Sequence, residues 1–397
     1  MKSGFFSSRW LRCSLFLLVV FVMAGGICEA GPKAKTKTKA KPAVNQEQKN
    51  EDFQQAFTAA FNRWDRNQDG KIDLKEVNAV IEDPQIHGDE SALAAVLRRR
   101  LHADEADDTK TLTLPEVLAL ADDPQLQRLI VRFGRHIQSI NHSLFLPEDP
   151  NLATFHQGGM GDCYLLAVVG SMVYQHPRAI RAMIRLRTDG GYEVHFGNGR
   201  DISVAPVTDA ELLMGATEGS NHGIWLSVLE KAYAHFSVEA REAKTGEELA
   251  PDDAVVTDLI GRGGYYAPVI SRLTGHKTAG VPTGRWLKED PAGAPQKLND
   301  LLVKLTTDHR LMATGTRKDK TLPKGIPHGH VLAVLDYSPA THMVRMFNPW
   351  GNHVKPTGPA GLVNGYPTEH GIFDVPAADF LQIFSGFTYE TDKPVKR

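Results

Sequence analysis

Residues 156–167 read HQGGMGDCYLLA, which places a cysteine at the start of an apolar run and six residues after a glutamine. Glycines let the backbone approach a ligand closely or adopt positive φ. Asp162 is a favourable N-cap, so Cys163 is predicted in the first turn of a helix, where the helix dipole and unpaired N–H groups favour the thiolate. The side-chain amide of Gln157 is a candidate donor to an oxyanion formed when the sulfur attacks a substrate. The alternative is a buried structural cysteine in a glycine-rich turn.

The other two of the three cysteines lie in an N-terminal segment typical of a secretory signal. Residues 13–23 are apolar and follow a basic start, and Cys28-Glu29-Ala30 is a small-x-small cleavage site. Residues 1–30 are therefore predicted to be a signal peptide, and the protein is expected to be exported (secreted, periplasmic or at the cell surface). The apolar run is short for a spanning helix, so no stable membrane insertion is expected after cleavage. An uncleaved anchor and a lipoprotein attached through Cys28 are the alternatives.

Cleavage would leave Cys163 as the remaining cysteine. A single thiol without a disulfide partner in an exported protein indicates a reactive role for that thiol. The chain is nearly neutral, with 45 Lys and Arg against 47 Asp and Glu, which does not indicate a nucleic-acid partner. Its length allows two or three domains. Residues 31–50 contain alternating lysines and are predicted to be a disordered linker. Attachment of this segment to an acidic cell surface is the alternative.

Residues 65–76 read DRNQDGKIDLKE, which matches a complete EF-hand calcium loop, with Gly70 at the sharp turn. The loop follows a segment whose apolar residues repeat every three or four positions, from Phe53 to Trp64, as on one face of a helix. The expected calcium ligands are the side chains of Asp65, Asn67, Asp69, Asp73 (directly or through water) and Glu76, and the backbone carbonyl of Lys71. An acidic turn between two helices is the alternative.

EF-hands usually occur in pairs, and residues 105–116 stand where a second loop belongs. Lys110 replaces the turn glycine, and Thr109 and Thr113 replace carboxylates, so this loop is expected to complete the fold and to bind calcium weakly. The sequence thus predicts an all-α EF-hand pair over residues 51–140, with Ca²⁺ as its cofactor. Because an exported protein meets abundant calcium, the first loop is expected to act as a permanent structural staple and not as a switch.

A candidate base for the cysteine is His330, which lies at the start of the apolar run HVLAVLDY. A second strand follows and ends in Asn348-Pro349-Trp350-Gly351, so the two predict a hairpin about Ser338-Pro339-Ala340. If the hairpin is symmetric about Pro339, His330 and Asn348 face each other across the strands. The asparagine carbonyl would then accept from one imidazole nitrogen while the other nitrogen faces the sulfur, and Trp350 would shield that hydrogen bond from water.

The cysteine segment, the Gly329-His330 strand and the Asn-Pro-Trp-Gly segment together resemble the calpain family of papain-like cysteine proteases. Further blocks agree in order: residues 223–233 (GIWLSVLEKAY), Gly263-Gly264 with Leu273-Thr274-Gly275, and Gly371-Ile372-Phe373 with Asp379-Phe380. Tyr164 departs from the tryptophan usual after the family's cysteine. The predicted EF-hands precede the protease segment, so the resemblance does not imply the regulation known from animal calpains.

The resemblance implies an α+β fold with a papain-like protease core over residues 144–390, one half helical and the other built on a β-sheet. It implies a Cys163–His330–Asn348 triad, with Gln157 in the oxyanion hole, acting as an endopeptidase on protein or peptide substrates. Two alternatives remain: a transglutaminase-like acyl transferase, whose third member is usually Asp, and a non-enzymatic calcium-binding scaffold. Neither the natural substrate nor the oligomeric state is indicated.

Overall fold

The computed structural model describes residues 46–101, 110–153, 155–215, 217–218, 223–246, 258–316 and 321–395. The predicted signal peptide, most of the predicted linker and the first half of the second predicted calcium loop lie outside these ranges. The first helix begins at Gln46, so the last five residues of the predicted linker are helical. Within the described ranges, no helix has the length and apolar character needed to cross a membrane.

The first part of the described chain is a group of packed helices joined by two short strands, here called the helical module (residues 46–140). Its elements are α1 (Gln46–Trp64), β1 (Lys71–Ile72), α2 (Leu74–Ile81), α3 (Gly88–Leu101), β2 (Leu112–Thr113), α4 (Leu114–Ala121) and α5 (Pro124–Ser139). Strands β1 and β2 pair antiparallel, with Ile72 opposite Leu112. The apolar stripe predicted on α1 faces the module's core, where Phe57, Phe61 and Trp64 are buried.

The next part of the described chain, residues 155–274, is mostly helical and is here called the helical half. Its elements are β3 (Phe155–His156), α6 (Cys163–Gln175), α7 (Pro177–Met183), β4 (Ile184–Leu186), β5 (Tyr192–His195), β6 (Asp201–Val204), α8 (Asp209–Met214), β7 (Thr217–Glu218), α9 (Trp225–Thr245), α10 (Asp258–Gly261) and α11 (Tyr266–Thr274). Strands β4, β5 and β6 form a small antiparallel sheet, and β3 pairs with β7. Residues 164–173 of α6 are buried on all sides of the helix, which is why its sequence is apolar without a polar face.

The last part of the described chain, residues 276–394, is built on an antiparallel sheet and is here called the sheet half. Its elements are β8 (His276–Val281), α12 (Thr283–Glu289), α13 (Ala294–Thr307), β9 (Met312–Gly315), β10 (Val331–Ser338), β11 (Met343–Phe347), β12 (Ile372–Pro376), α14 (Ala377–Ile383) and β13 (Phe387–Pro394). The strand order is β12-β11-β10-β9-β13-β8. This mixed helical and sheet architecture agrees with the predicted α+β class.

Strand β10 is covered on both faces, and alternate residues enter different cores. Leu332 and Val334 pack in a core with residues of α13 and α14. Ala333 and Leu335 pack in a second core with α6, which contacts β10. The helix that begins with Cys163 and the strand that follows His330 are therefore held together by a shared apolar interface.

The β10–β11 hairpin is not symmetric about Pro339. Ala333 lies opposite Phe347 and Tyr337 opposite Val344, with a register shift between Val334 and Asp336. The turn spans residues 339–342 and places His342 at a φ of 54°. The longer turn and the bulge shift the register, so the prediction that His330 and Asn348 are directly opposed residues of a regular hairpin is wrong.

Helix α8 joins the helical module to the rest of the chain. Ala210 and Leu213 on α8 are buried in the module's core, while Leu212 is buried in the core shared by α6 and β10. Residues from Gln46 onward accordingly form one compact unit. The predicted EF-hand and protease segments thus share packed surface.

Removing core volume from β10 should destabilise the protein. Leu332 is 0% exposed, so Leu332→Ala should lower the free energy of unfolding by about 2–5 kcal/mol, because it leaves a cavity. The matched control is Leu186→Ala, at a leucine that is 65% exposed, which should change it by less than about 0.5 kcal/mol. Denaturant unfolding measures both variants. Equal losses would show that β10 is not a central buried strand.

Candidate active site

Cys163 is the first residue of α6, and Asp162 occupies the N-cap position, as predicted. The carboxylate of Asp162 makes no capping hydrogen bond, however, so that part of the prediction is wrong. This side chain is buried beside Glu230 of α9. Burial raises the pKa of Asp162 to about 6, and the neighbouring side chain of Glu230 partly opposes that rise. The side chain of Asp162 therefore points into the protein interior and away from solvent.

The thiol of Cys163 is half-buried. Burial raises its pKa, and the nearby charge of Asp162 acts in the same direction. Backbone hydrogen bonding from Val331 lowers the pKa without reversing the net shift. The backbone N–H groups of Cys163 and Tyr164 at the helix start lower the pKa as expected, but desolvation outweighs them, so the net pKa of the thiol is raised. The contact with Val331 also places the sulfur beside the residue that follows His330.

His330 lies immediately before β10 and is 4% exposed. Its backbone is fixed by Thr316: the His330 N–H donates to Thr316 Oγ1 at 2.9 Å, and the Thr316 N–H donates to the His330 carbonyl at 2.8 Å. Its Nε2 lies 2.8 Å from Asn348 Oδ1. Burial lowers the pKa of His330 to about 4, while the hydrogen bond to Asn348 acts in the opposite direction. The imidazole is therefore neutral at physiological pH.

Asn348 determines which nitrogen of His330 carries the proton. Its Oδ1 also accepts the backbone N–H of Trp350 at 3.0 Å. A backbone N–H only donates, so this atom must be the amide oxygen. His330 Nε2 must then donate to the same oxygen, which leaves Nδ1 unprotonated in the neutral ring. The indole of Trp350 lies 4.7 Å from the imidazole, centroid to centroid, and covers this pair as predicted, although it is 51% exposed.

Gln157 lies in the loop between β3 and α6. Its backbone N–H donates to the carbonyl of Pro349 at 2.6 Å, which ties this loop to the segment carrying Asn348. Its side-chain Nε2 donates to the Met160 carbonyl, so one of the two amide hydrogens is engaged and the other is available for a ligand. The structure thus brings Gln157, Cys163, His330 and Asn348 into one region where the helical and sheet halves meet.

The predicted calcium loop has a compact hydrogen-bonded form. The carboxylate of Asp65 accepts the backbone N–H groups of Asp69 at 3.1 Å and Gly70 at 3.0 Å. Glu76 and Asp73 form a capping box at the start of α2. Across the described part of the chain, no group of three or more His, Cys, Asp or Glu side chains is arranged to hold a metal ion. Calcium binding at residues 65–76 stays a prediction.

Two features of the site were not found from the sequence. Thr316 holds the backbone of His330 in place, yet it is an ordinary strand-end threonine without a motif. Glu230 lies beside Asp162, whereas the sequence distinguishes residues 223–233 only by their resemblance to the family. A buried acid in the apolar GIWLSVLEKAY segment was the available signal, since buried carboxylates need a specific partner.

Comparison with known proteins identifies the family. The profile of the calpain family cysteine protease matches residues 115–359, more than half of the chain. The protein therefore belongs to the calpain family of cysteine proteases. The matched segment begins within α4 and ends before β12, so it includes part of the helical module.

Similar proteins include three calpains. Calpain-A of Drosophila melanogaster is 27% identical over 263 residues, which cover 57% of this chain and 28% of that protein. Calpain-12 of Homo sapiens is 26% identical over 231 residues, or 52% of this chain and 28% of that protein. Calpain-B of Drosophila melanogaster is 25% identical over 235 residues, or 51% and 22%. The chain thus spans less than a third of the length of each of these relatives.

The electrostatics of the site predict an unusual titration of His330. Its imidazole should protonate near pH 4, far below the value of about 6.5 for an ordinary histidine. As the pH falls between these values, the unfolded chain binds this proton first, so His330 should make the protein progressively less stable. NMR titration of the His330 C2–H resonance measures the pKa. Asn348→Ala should lower it further, and a midpoint at or above about 6.5 would contradict the assignment.

Proposed function

We propose that this protein is an exported cysteine endopeptidase that cleaves peptide bonds through Cys163, His330 and Asn348, with Gln157 as an oxyanion-hole donor. The observation that carries the proposal is the buried hydrogen bond between His330 Nε2 and Asn348 Oδ1. It leaves Nδ1 as a proton acceptor, beside the strand residue that contacts the Cys163 sulfur. Family membership supports the reaction class, and the sequence pattern of residues 1–30 supports export.

The first chemical step follows from the neutral resting pair. As the Cys163 sulfur attacks the peptide carbonyl carbon, its proton passes to His330 Nδ1 and a C–S bond forms. The carbonyl π electrons move to oxygen, and the resulting oxyanion accepts hydrogen bonds from the Gln157 amide and the Cys163 backbone N–H. Asn348 favours the imidazolium, because its hydrogen bond raises the pKa of His330. Charge thus develops only once substrate is bound.

The second stage releases both products. The imidazolium of His330 gives its Nδ1 proton to the amine nitrogen as the C–N bond breaks, which leaves a thioester on Cys163. A water molecule then attacks the thioester, and His330 accepts one of its protons. Collapse of this intermediate breaks the C–S bond, releases the carboxylic acid and returns the proton to the sulfur. The same nitrogen therefore acts in turn as base, acid, base and acid.

Removing the nucleophile or the base should abolish proteolysis. We expect Cys163→Ala and His330→Ala each to reduce cleavage of an unfolded casein by about 10³-fold or more, without loss of the fold by circular dichroism. The matched control is His309→Ala at an exposed histidine, which should retain activity within about twofold. Wild-type turnover by Cys163→Ala would refute the nucleophile.

The same substrate separates this proposal from its alternatives. An endopeptidase converts casein to fragments, whereas a transglutaminase-like enzyme would produce cross-linked ladders. A peptidyl epoxide should label wild-type Cys163 stoichiometrically and should label the His330→Ala variant much more slowly, because ring opening needs a positioned acid. Equal labelling of the two proteins would favour a non-enzymatic scaffold.

We also propose that residues 65–76 bind calcium. The helix–loop–helix form of α1 and α2, the pairing of β1 with β2 and the φ of 79° at Gly70 are compatible with a calcium-binding EF-hand loop. The side chains of Asp65, Asn67, Asp69, Asp73 and Glu76 and the carbonyl of Lys71 would hold the ion. When bound, calcium supplies charge neutralisation for these carboxylates and links α1 to α2. Its expected role is structural.

Calcium should therefore stabilise the helical module without switching the enzyme on. Binding to the native state alone adds about 2.7 kcal/mol when calcium exceeds its Kd a hundredfold. Glu76→Gln should remove the rise in melting temperature that calcium causes, whereas turnover of a short peptide below the melting temperature should stay within a few-fold. Glu116→Gln, at the matching position of the second loop, is the control and should keep the calcium-dependent rise.

Differential scanning calorimetry with calcium and with chelator measures this effect. The structural role would be refuted if chelator or Glu76→Gln removed peptidase activity while the protein stayed folded. Calcium would then be an activator.

A further inference from the structure

Helix α8 lies between the helical module and the loop that carries Gln157. On the module side, the Thr208 hydroxyl donates to the Ile81 carbonyl at the end of α2, at 2.6 Å. The carboxylate of Asp209 accepts the Gly88 N–H at the start of α3, at 2.8 Å. Thr208 and Asp209 are both buried, so these hydrogen bonds are shielded from water. The start of α8 is thereby attached to two helices of the module.

The interior of α8 is fixed on both of its faces. Thr208 also caps the helix, since its hydroxyl accepts the Glu211 N–H and the Glu211 carboxylate accepts the Thr208 N–H. Glu211 forms a buried ion pair with Lys231 of α9 at 2.8 Å. With Leu213 in the module's core, α8 has little freedom to move independently of its neighbours.

The end of α8 contacts the oxyanion loop, defined here as residues 157–161. A Cβ at Gly158 would lie 1.8 Å from the carbonyl oxygen of Gly215, so only glycine permits this backbone approach. Strand β7 then pairs with β3, and β3 ends at the residue before Gln157. The chain that leaves α8 thus contacts the oxyanion loop at Gly158 and pairs with the strand that precedes it.

Helix α5 of the helical module also ends near the oxyanion loop. Desolvation and the nearby imidazole of His136 on α5 both lower the pKa of His156, the residue before Gln157. The helical module therefore approaches the oxyanion loop through α5 as well as through α8. The contacts through α8 are the ones made by defined hydrogen bonds.

We propose that Thr208 and Asp209 are positioning residues: through α8 they hold the oxyanion loop, and with it Gln157, in the geometry that the reaction requires. The inference rests on the proposed role of Gln157 as an oxyanion donor. It makes the helical module part of the catalytic scaffold and not an appendage. An oxyanion donor acts in the transition state, so its misplacement should lower kcat and leave KM unchanged.

The test compares Thr208→Val, which loses the hydroxyl, with Thr208→Ser, which retains it. Thr208→Val should lower kcat for a short peptide amide by about tenfold with KM within about twofold, since small misplacements far from the reacting atoms are costly. Thr208→Ser should restore most of kcat. Asp209→Ala removes the second hydrogen bond and should also lower kcat, which keeps the test valid if Thr208→Val folds poorly.

Two further measurements distinguish positioning from general damage. Alkylation of Cys163 by iodoacetamide does not use the oxyanion hole, so its rate should be unchanged in Thr208→Val. In a Gln157→Ala background, Thr208→Val should cause no further loss of kcat, because both changes remove the same interaction. Three results would overturn the inference. The losses of kcat from Gln157→Ala and Thr208→Val could multiply in the double variant, Thr208→Val and Asp209→Ala could both keep wild-type kcat, or Thr208→Ser could fail to restore kcat.

The outcomes also separate this inference from the proposed mechanism. If Gln157→Ala lowers kcat but Thr208→Val and Asp209→Ala do not, the link through α8 is wrong and the oxyanion role stands. If Gln157→Ala itself leaves kcat unchanged, the oxyanion role of Gln157 is wrong and the inference falls with it.

Discussion

The packing of α6 against β10 is the constraint on which the site depends. Residues 165–169 of α6 are fully enclosed, and Ala333 and Leu335 of β10 enter the same core. Because close-packed interiors resist small displacements, this interface fixes the start of the helix relative to the start of the strand. Cys163 and His330 stand at those two starts. The apolar contacts behind them therefore set the positions of both residues.

Burial has opposite consequences for the two reactive groups. It raises the pKa of the Cys163 thiol and lowers the pKa of His330 to about 4, so the resting protein keeps both groups neutral. The hydrogen bond from His330 to Asn348 acts in the other direction on the pKa of His330, and the proposed oxyanion donors would favour the developing negative charge. Such preorganised donors are most effective where water is excluded. The site is therefore suited to stabilising charge during the reaction and not at rest.

The candidate site residues could be selected from the sequence because the proposed chemistry requires particular residue types in short local patterns. Cys163 with Gln157 was visible in one glycine-rich segment, and Asn348 was visible before Pro349-Trp350-Gly351. The relation of His330 to Asn348 was right although the predicted hairpin register was wrong. The two side chains meet where the strands end. There Thr316 holds the backbone of His330, and the Asn348 N–H donates to the Gly371 carbonyl, so the strand register has less influence on their positions.

What could not be predicted depends on contacts between distant segments. Nothing local to Asp162 shows that its carboxylate is buried beside Glu230 and does not cap α6. The hydrogen bond from Thr208 to Ile81 joins residues 127 positions apart, and no sequence period reports such a pair. For the same reason the sequence does not indicate that the helical module and the protease segment pack together through α8.

The proposed chemistry requires that Asn348 hold His330 in the tautomer protonated at Nε2, with Nδ1 free to accept the thiol proton. The most direct test is ¹⁵N NMR of the histidine-labelled protein near neutral pH, with the His330 signals assigned by comparison with His330→Ala. We expect the Nε2 signal to show a directly bonded proton and the Nδ1 signal to have the shift of an unprotonated nitrogen. A proton on Nδ1, or a fully protonated ring at that pH, would contradict it.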